Sequence, residues 1–385
     1  MIILCVTGSI AAVETIKLAR ELRRQGFEIQ PFLSESGKKI IHPTALEFAC
    51  GKSVITNITG MIEHIKYADS ELILVAPATA NIISKFAYKI ADDHISSLLI
   101  AAQGYNTPIL FVPSMHETMY KTISKNIEKL KSEGIHFFEP KMEEVHAKFP
   151  DKNDIVLESF KLTSNRDLDN KNILISIGRT MEHIDPIRVI SNKSTGKLGL
   201  ELIKEGYKRG ANLTVISGKV DVEFPKTINI INVGNSKQMS DEIKKHLKNN
   251  NVFISAAAVS DFIPIPTEKK ISSTNDIFIE FKSAEKIIEK VKDISSNIYL
   301  IGFKAEYDLL DEELINKGKK QITHSKSDLV VVNDLGKISE LDLDKSYVIL
   351  VNDKSHDNIG FISKKELSHR IFNRIAEHFN NDILT

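Results

Sequence analysis

Short apolar runs of strand length recur along the chain, separated by stretches whose apolar residues fall three and four apart. In the first half the runs are Ile2-Ile3-Leu4-Cys5-Val6, then 28–33, 72–76 and 109–112. In the second half they are 173–177, 213–216, 228–233, 252–256, 298–303, 329–332 and 347–351. Unbroken apolar runs mark strands buried on both faces, and their alternation with helical patterns predicts parallel sheets covered by helices. Ala12, Ile16, Ala19 and Leu22 form one helical stripe that stops at Gly26. Two runs lead directly into glycine turns, Thr7-Gly8-Ser9 and Gly178-Arg179-Thr180. Each reads as the opening of its own α/β domain, which predicts domains over 1–165 and 170–385. The stretch from about 139 to 170 is charged, lacks sustained periodicity and contains Pro140 and Pro150. It reads as a flap at about 139–150 followed by a linker, with a plain solvated linker as the simpler alternative.

Composition narrows the class. The 385 residues carry 51 basic and 51 acidic side chains, so no net positive charge supports nucleic-acid binding. No run of about 18 apolar residues suggests a membrane span. The apolar start lacks a basic leader and reads as a buried strand rather than a signal peptide. Cys5 and Cys50 are the only cysteines, too few for a disulfide framework or a cysteine zinc site, which predicts a cytoplasmic protein.

Candidate chemistry lies where strands end, because open parallel sheets bind ligands at the carboxyl ends of their strands. Gly8-Ser9-Ile10-Ala11-Ala12 follows the first run, and its small residues let backbone N–H groups approach a phosphate. It lacks the G-x-G-x-x-G spacing and the second run ends at Ser34, which favours a mononucleotide or flavin phosphate over a dinucleotide. A purely structural turn is the alternative. Pro77-Ala78-Thr79-Ala80-Asn81 and Pro113-x-Met115-His116-x-x-Met119-Tyr120 follow two further runs, and His64 precedes the third.

In this order, these segments resemble the flavin-dependent cysteine decarboxylases, in particular phosphopantothenoylcysteine decarboxylase. The resemblance implies a flavodoxin-like, doubly wound parallel sheet binding FMN at trimeric subunit contacts. It implies that His64 is the active-site base or orienter, and that Gly8, Ser9, Ile10, Ser34, Pro77, Ala78, Thr79 and Asn81 line the flavin. Met115, His116 and Met119 would contact substrate. The chain departs from the family pattern twice. His116 stands where Asn is usual, and the flap has no Cys to act as acid, leaving His146, Lys148 or Glu144 to serve. A non-catalytic FMN-binding or assembly domain beside an active ligase is the alternative.

The second half is denser in polar chemistry. The segment 178–199 joins a strand to a helix through Arg179, Asp185, Arg188, Asn192 and Ser194-Thr195-Gly196-Lys197. Only nine residues of the chain are Arg, and two of them fall here; Arg forms forked pairs with carboxylate or phosphate that Lys cannot. Ala256-Ala257-Ala258-Val259-Ser260-Asp261, Gly302-Phe303 and Asn333-Asp334 follow other strands, and Asp261 offers oxygen to Mg2+. Asp185-Pro186-x-Arg188-x-x-Ser191-Asn192-x-Ser194-x-Gly196-Lys197, together with the alanine and Asn-Asp segments, resembles phosphopantothenate–cysteine ligase. That resemblance implies a Rossmann-like domain that activates 4′-phosphopantothenate with CTP and then joins it to cysteine. It implies Asn192, Lys270 and Arg188 as catalytic residues, Ala257, Asp261, Phe303, Lys326 and Asn333 at the CTP, and Asp261 on Mg2+. Lys269 remains an alternative to Lys270. Together the halves match a fused enzyme of coenzyme A biosynthesis acting on small molecules, with no nucleic-acid or membrane partner. Trimeric contacts in the first domain and dimeric ones in the second would build a homo-oligomer such as a dodecamer.

Overall fold

The computed structural model describes all residues except 139–140, 144–145, 273–275, 338–343 and 383–385, with backbone alone at 141–143, 146–148 and 381–382. The chain divides into two units, Met1–Ser164 and Asn165–Thr385.

The first unit is a parallel sheet of strands β1 (Ile2–Val6), β2 (Ile29–Leu33), β3 (Leu72–Ala78), β4 (Ile109–Pro113) and β5 (His136–Phe137), in the order β2-β1-β3-β4-β5. This is the flavodoxin-like order, with its switch point between β1 and β3. Alternate residues of β1 feed opposite cores: Ile2, Leu4 and Val6 on one face, Ile3 and Cys5 on the other. That two-sided burial is why the strand has no polar alternation. The helix Ala12–Arg24 carries Glu14 in its first turn and Arg23 and Arg24 in its last, matching the helix dipole. The Thr15 hydroxyl donates to the Ala76 carbonyl at 3.0 Å and ties this helix to β3.

Among the described residues, much of the region read as flap and linker forms regular elements. A short hairpin pairs β6 (Lys141–Glu143) with β7 (His146–Lys148). The helix Lys152–Thr163, capped by Asp151, then packs into the first unit. Ile155 and Val156 join the core, and Phe160 meets Phe27 at 4.4 Å between ring centres. The linker is therefore much shorter than its charge suggests.

The second unit is an eight-stranded sheet. Its strands are β8 (Asn172–Ile177), β11 (Asn212–Ser217), β12 (Ile230–Asn232), β13 (Val252–Ser255), β16 (Tyr299–Glu306), β17 (Leu329–Asp334), β18 (Lys345–Val351) and β19 (His356–Ser363). Small hairpins pair β9 (Met181–His183) with β10 (Val189–Ser191), and β14 (Phe262–Pro264) with β15 (Phe281–Ser283). The order β12-β11-β8-β13-β16-β17 is the Rossmann arrangement, extended by β18 and β19 running antiparallel. Its switch point lies between β8 and β13. Gly199 lets the helix Lys197–Lys208 approach β8, since a Cβ there would sit 2.5 Å from Ile177. No helix among the described residues is long and apolar enough to cross a membrane.

Candidate active sites

Three strand ends are stapled together in the first unit. The Thr7 hydroxyl, just past β1, donates to the Pro77 carbonyl at 2.7 Å and accepts the Thr79 N–H at 3.2 Å. It therefore spans the switch point between β1 and β3. The Ser9 hydroxyl donates to Ser114 beyond β4 at 3.3 Å. Ser34 caps the helical turn after β2, accepting the Gly37 N–H at 3.0 Å, and its own N–H returns to Val6. Gly8 must lack a side chain, because a Cβ would lie 2.5 Å from Ser36. Thr79 caps the helix Ala80–Ala87, leaving Asn81 exposed in its first turn. The result is a shallow rim of hydroxyls and backbone groups beside exposed Ile10, with Pro77 and Ala78 buried beneath it. This chemistry suits a planar, phosphate-bearing ring system such as a flavin.

His64 sits in the short helix Glu63–Lys66, which packs on the helix His94–Gly104. Glu63 locks the turn by accepting the Thr59 N–H at 2.8 Å. The Nδ1 atom of His64 is buried without a hydrogen-bond partner while the residue as a whole is half-buried, so the ring meets other molecules by its remaining edge. No hydrogen bond joins His64 to the β1, β3 and β4 ends among the described residues. His116 caps the helix Glu117–Thr122 through Nδ1, which accepts the Thr118 N–H at 3.2 Å and so carries no proton in that state. Met115 packs against the core while Met119 is half exposed. Glu144 lies outside the described residues, as do the side chains of His146 and Lys148. Cys5 and Cys50 are both buried, and burial pushes the Cys50 thiol up to about 12. Neither can replace a flap acid.

In the second unit the turn after β8 is threaded between its neighbours. Arg179 exchanges backbone bonds with Lys219 at 3.0 and 2.8 Å, and the Ala258 N–H donates to the Gly178 carbonyl at 2.7 Å. The Thr180 hydroxyl donates to Ser260 at 3.1 Å and accepts its N–H at 2.9 Å. Asn192 then reaches across, its Nδ2 donating to the Ala258 carbonyl at 3.1 Å. The structure thus places Asn192 against the alanine segment that carries Ala257, with Ser260 held just beyond.

A second node lies on the same loop. Asp185 is buried, and its Oδ1 accepts the N–H groups of Ile187 and Arg188 at 2.8 Å each. Its Oδ2 accepts Arg188 Nη1 at 2.5 Å and the Ile271 N–H at 3.1 Å. Burial alone would raise this carboxyl, but the converging donors outweigh it and hold it well below the usual carboxylate range. The exposed Lys269 and Lys270 directly precede Ile271 and are carried to Arg188 by this contact.

Other candidates prove to be engaged within the unit. Arg179 forks onto Asp221, at 2.8 Å through each nitrogen, so it braces the glycine turn rather than offering both arms to a ligand. Asp261 is exposed and ion-paired with Lys286. Phe303 packs against the core and Asn333 is half-buried on β17. Neighbouring Asp334 is fully buried and accepts the N–H groups of Asp308, Leu309 and Gly336, fixing the turns at the β16 and β17 ends. Lys326 does not join this site. It closes the helix Asp311–Ser325 in the left-handed conformation, two residues short of Asp328, and lies 3.5 Å from Asp293. That is the amino end of β17, the sheet edge opposite Gly178 and Ala257. Thr7, Thr180 and Asp185 do most to organise the two sites, and none stands out as a ligand-binding residue in the sequence. For Thr7 and Thr180 the available signal was a hydroxyl placed one to three residues past a buried strand, and for Asp185 it was only the polar density of the 178–199 segment.

Comparison with known proteins agrees with this division. A family model described as Flavoprotein matches residues 1–164, and one described as DNA/pantothenate metabolism flavoprotein C-terminal domain matches residues 168–379. The coenzyme A biosynthesis bifunctional protein CoaBC of Thermococcus kodakarensis is 41% identical, covering 98% of this chain and 94% of its own. The protein of the same name from Methanocaldococcus jannaschii is 39% identical over 98% of this chain and 93% of its own. Among solved structures, a DNA/pantothenate metabolism flavoprotein from Streptococcus pneumoniae superposes with a TM-score of 0.50 at 27% identity. It covers 54% of this chain and 99% of that one.

Proposed function

The chain belongs to the family of bifunctional coenzyme A biosynthesis proteins, with decarboxylase and ligase domains, and from that premise we propose how its two sites divide the work. The ligase site joins 4′-phosphopantothenate to cysteine at the expense of CTP, and the flavoprotein site decarboxylates the product to 4′-phosphopantetheine. The observation that supports this pairing most is that each unit brings polar groups from several strand ends together beside its own switch point, hydroxyls and backbone in the first and braced charges and amides in the second.

In the ligase site, Arg188 and Lys270 or Lys269 offer positive charge where the substrate carboxylate attacks the α-phosphate of the nucleotide and pyrophosphate leaves. Such an in-line displacement needs charge stabilisation and positioning more than a protein nucleophile. Asn192, braced on the Ala258 carbonyl, holds the acyl-nucleotide while the cysteine amine displaces it. Ala257 leaves room for base and ribose, with Phe303 and Asn333 on the neighbouring strand ends. Asp261 would hold Mg2+ as a single carboxylate sharing the ion with the nucleotide phosphates. To do so it must exchange its Lys286 partner for the metal.

In the decarboxylase site, FMN would lie against Gly8, Ser9, Ile10, Ser34, Pro77, Ala78, Thr79 and Asn81. The small residues and bridged hydroxyls fit a phosphate and a flat ring. A bound flavin supplies reversible two-electron chemistry, which makes the thiol-bearing carbon an electron sink for loss of the adjacent carboxylate. His64, half-buried in its short helix, would hold or move the thiol proton through Nε2, since its Nδ1 is closed off from solvent. Met115 and Met119 provide apolar contact, and His116 orients the substrate carboxylate. Exposed Ile10, Phe48, Met61 and Ile62 on the first unit, and Phe262, Phe278 and Phe281 on the second, support a homo-oligomer with contacts in both domains, and the two free cysteines fit the cytoplasm.

Omitting cysteine tests the ligase reading. Phosphopantothenate, CTP and Mg2+ alone should give an acyl-cytidylate and pyrophosphate. ATP supporting the reaction while CTP does not would overturn the nucleotide assignment.

A further inference from the structure

We propose that Asp185 is the positioning residue of the ligase site, fastening Arg188 and the segment bearing Lys269 and Lys270 into one cationic unit. The inference rests on the reading that Arg188 and one of those lysines serve the ligation.

A side chain that only closes its own turn needs one oxygen, and Oδ1 does that by accepting the Ile187 and Arg188 N–H groups. Oδ2 works at longer range. It accepts Arg188 Nη1 and the N–H of Ile271, 86 residues further along the chain. Arg188 Nη1 also donates to the Ile271 carbonyl at 3.0 Å, closing a ring of three partners. The adjoining Thr267 N–H donates to the Ile184 carbonyl at 3.0 Å, so the segment is pinned at both ends. This node uses one terminal nitrogen of the guanidinium. Nε and Nη2 have no partner among the described residues, which leaves the forked edge aimed away from Asp185 for an anion.

The arrangement answers a physical difficulty. Arginine and lysine on two loops repel each other, and each would lose side-chain freedom on binding a polyanion. A buried carboxylate between them offsets the repulsion and fixes the spacing before substrate arrives. Asp185 touches no reacting atom in this scheme and acts through Arg188 and the lysine segment.

The test uses the full-length, FMN-loaded protein and follows pyrophosphate release against phosphopantothenate concentration. Asp185→Asn should lower kcat/KM for phosphopantothenate about 100-fold, mostly through KM, with CO2 release from supplied phosphopantothenoylcysteine unchanged. Arg188→Gln should fall as far, and the double variant no further than the worse single one. Ile271→Pro removes the N–H donor while leaving the carboxylate in place, and should cost about 10-fold even if Asp185→Asn does not fold. Near-normal activity in Asp185→Asn or Ile271→Pro would overturn the proposal, as would a double variant equal to the product of the singles. Full activity in Arg188→Gln and in both lysine variants would overturn the underlying reading, and the proposal with it.

Discussion

The two units solve one topological problem with different materials. Both bring ligand groups to the carboxyl edge of a parallel sheet at a switch point, between β1 and β3 in one and between β8 and β13 in the other. In the first, that edge is made of Thr7, Ser9, Ser34 and Thr79 hydroxyls and backbone, with exposed apolar side chains nearby. In the second, it is made of charges already paired within the unit: Asp185 with Arg188, Arg179 with Asp221, and Asp334 with three backbone donors. Topology sets where a ligand sits, and residue chemistry sets which one. A neutral edge suits a planar cofactor, whereas an edge carrying braced ionic groups such as Asp185–Arg188 suits phosphates and carboxylates.

The sharpest way to break this comparison is to disable one edge and watch the other. His64→Asn should lower CO2 release about 10³-fold while pyrophosphate release stays within about twofold. Parallel loss of both in folded protein would show that the activities do not divide between the units as proposed. Asn192→Asp should reverse the pattern within the ligation, with acyl-cytidylate accumulating and its capture by cysteine slowed about 100-fold. Normal turnover would remove Asn192 from its role.

Packing offers a smaller contrast. Gly199→Val drives a side chain into Ile177 and should destabilise the second unit by about 1–3 kcal/mol. Calorimetry should show one transition moving to lower temperature and the first unit's transition staying in place.

The finest distinction is acid sensitivity. Burial holds His94 below its ordinary value of 6.5, and its Nε2 lies 3.0 Å from the Leu33 carbonyl. The unfolded chain therefore takes up this proton first, so the stability His94 contributes is complete above about pH 6.5 and is lost as pH falls toward the folded value. Asp185 and Asp334 are depressed below their ordinary 3.8, so their contribution persists until pH falls below about 4. As pH falls below about 6.5 the first unit should weaken while the second holds, and His94→Gln should flatten that slope. Equal slopes in the two units would contradict it.

The sheets were legible in the sequence because strands such as β1, β8 and β17 are buried on both faces and therefore read as unbroken apolar runs. The helix Lys152–Thr163 was not, since Ile155, Val156 and Leu157 are consecutive buried residues and give no stripe at helical spacing. The hairpin of β9 and β10 was equally hidden, because Val189, Ile190 and Ser191 are all exposed and its strands are three residues long. The ligand edges were visible as polar residues after strands, but their internal pairing was not. Arg179 reads as a ligand-binding arginine until Asp221, 42 residues away, is seen to occupy its fork. Lys326 illustrates a sign that was present and easily passed over: a residue just before a strand lies at the amino edge, away from the crevice.

The central claim is that one chain carries both steps. Purified FMN-loaded protein, given phosphopantothenate, cysteine, CTP and Mg2+, should release pyrophosphate and CO2 in equal amounts and yield 4′-phosphopantetheine by mass. Accumulation of phosphopantothenoylcysteine with no CO2 would contradict the account, leaving an active ligase joined to a flavoprotein domain that does not decarboxylate.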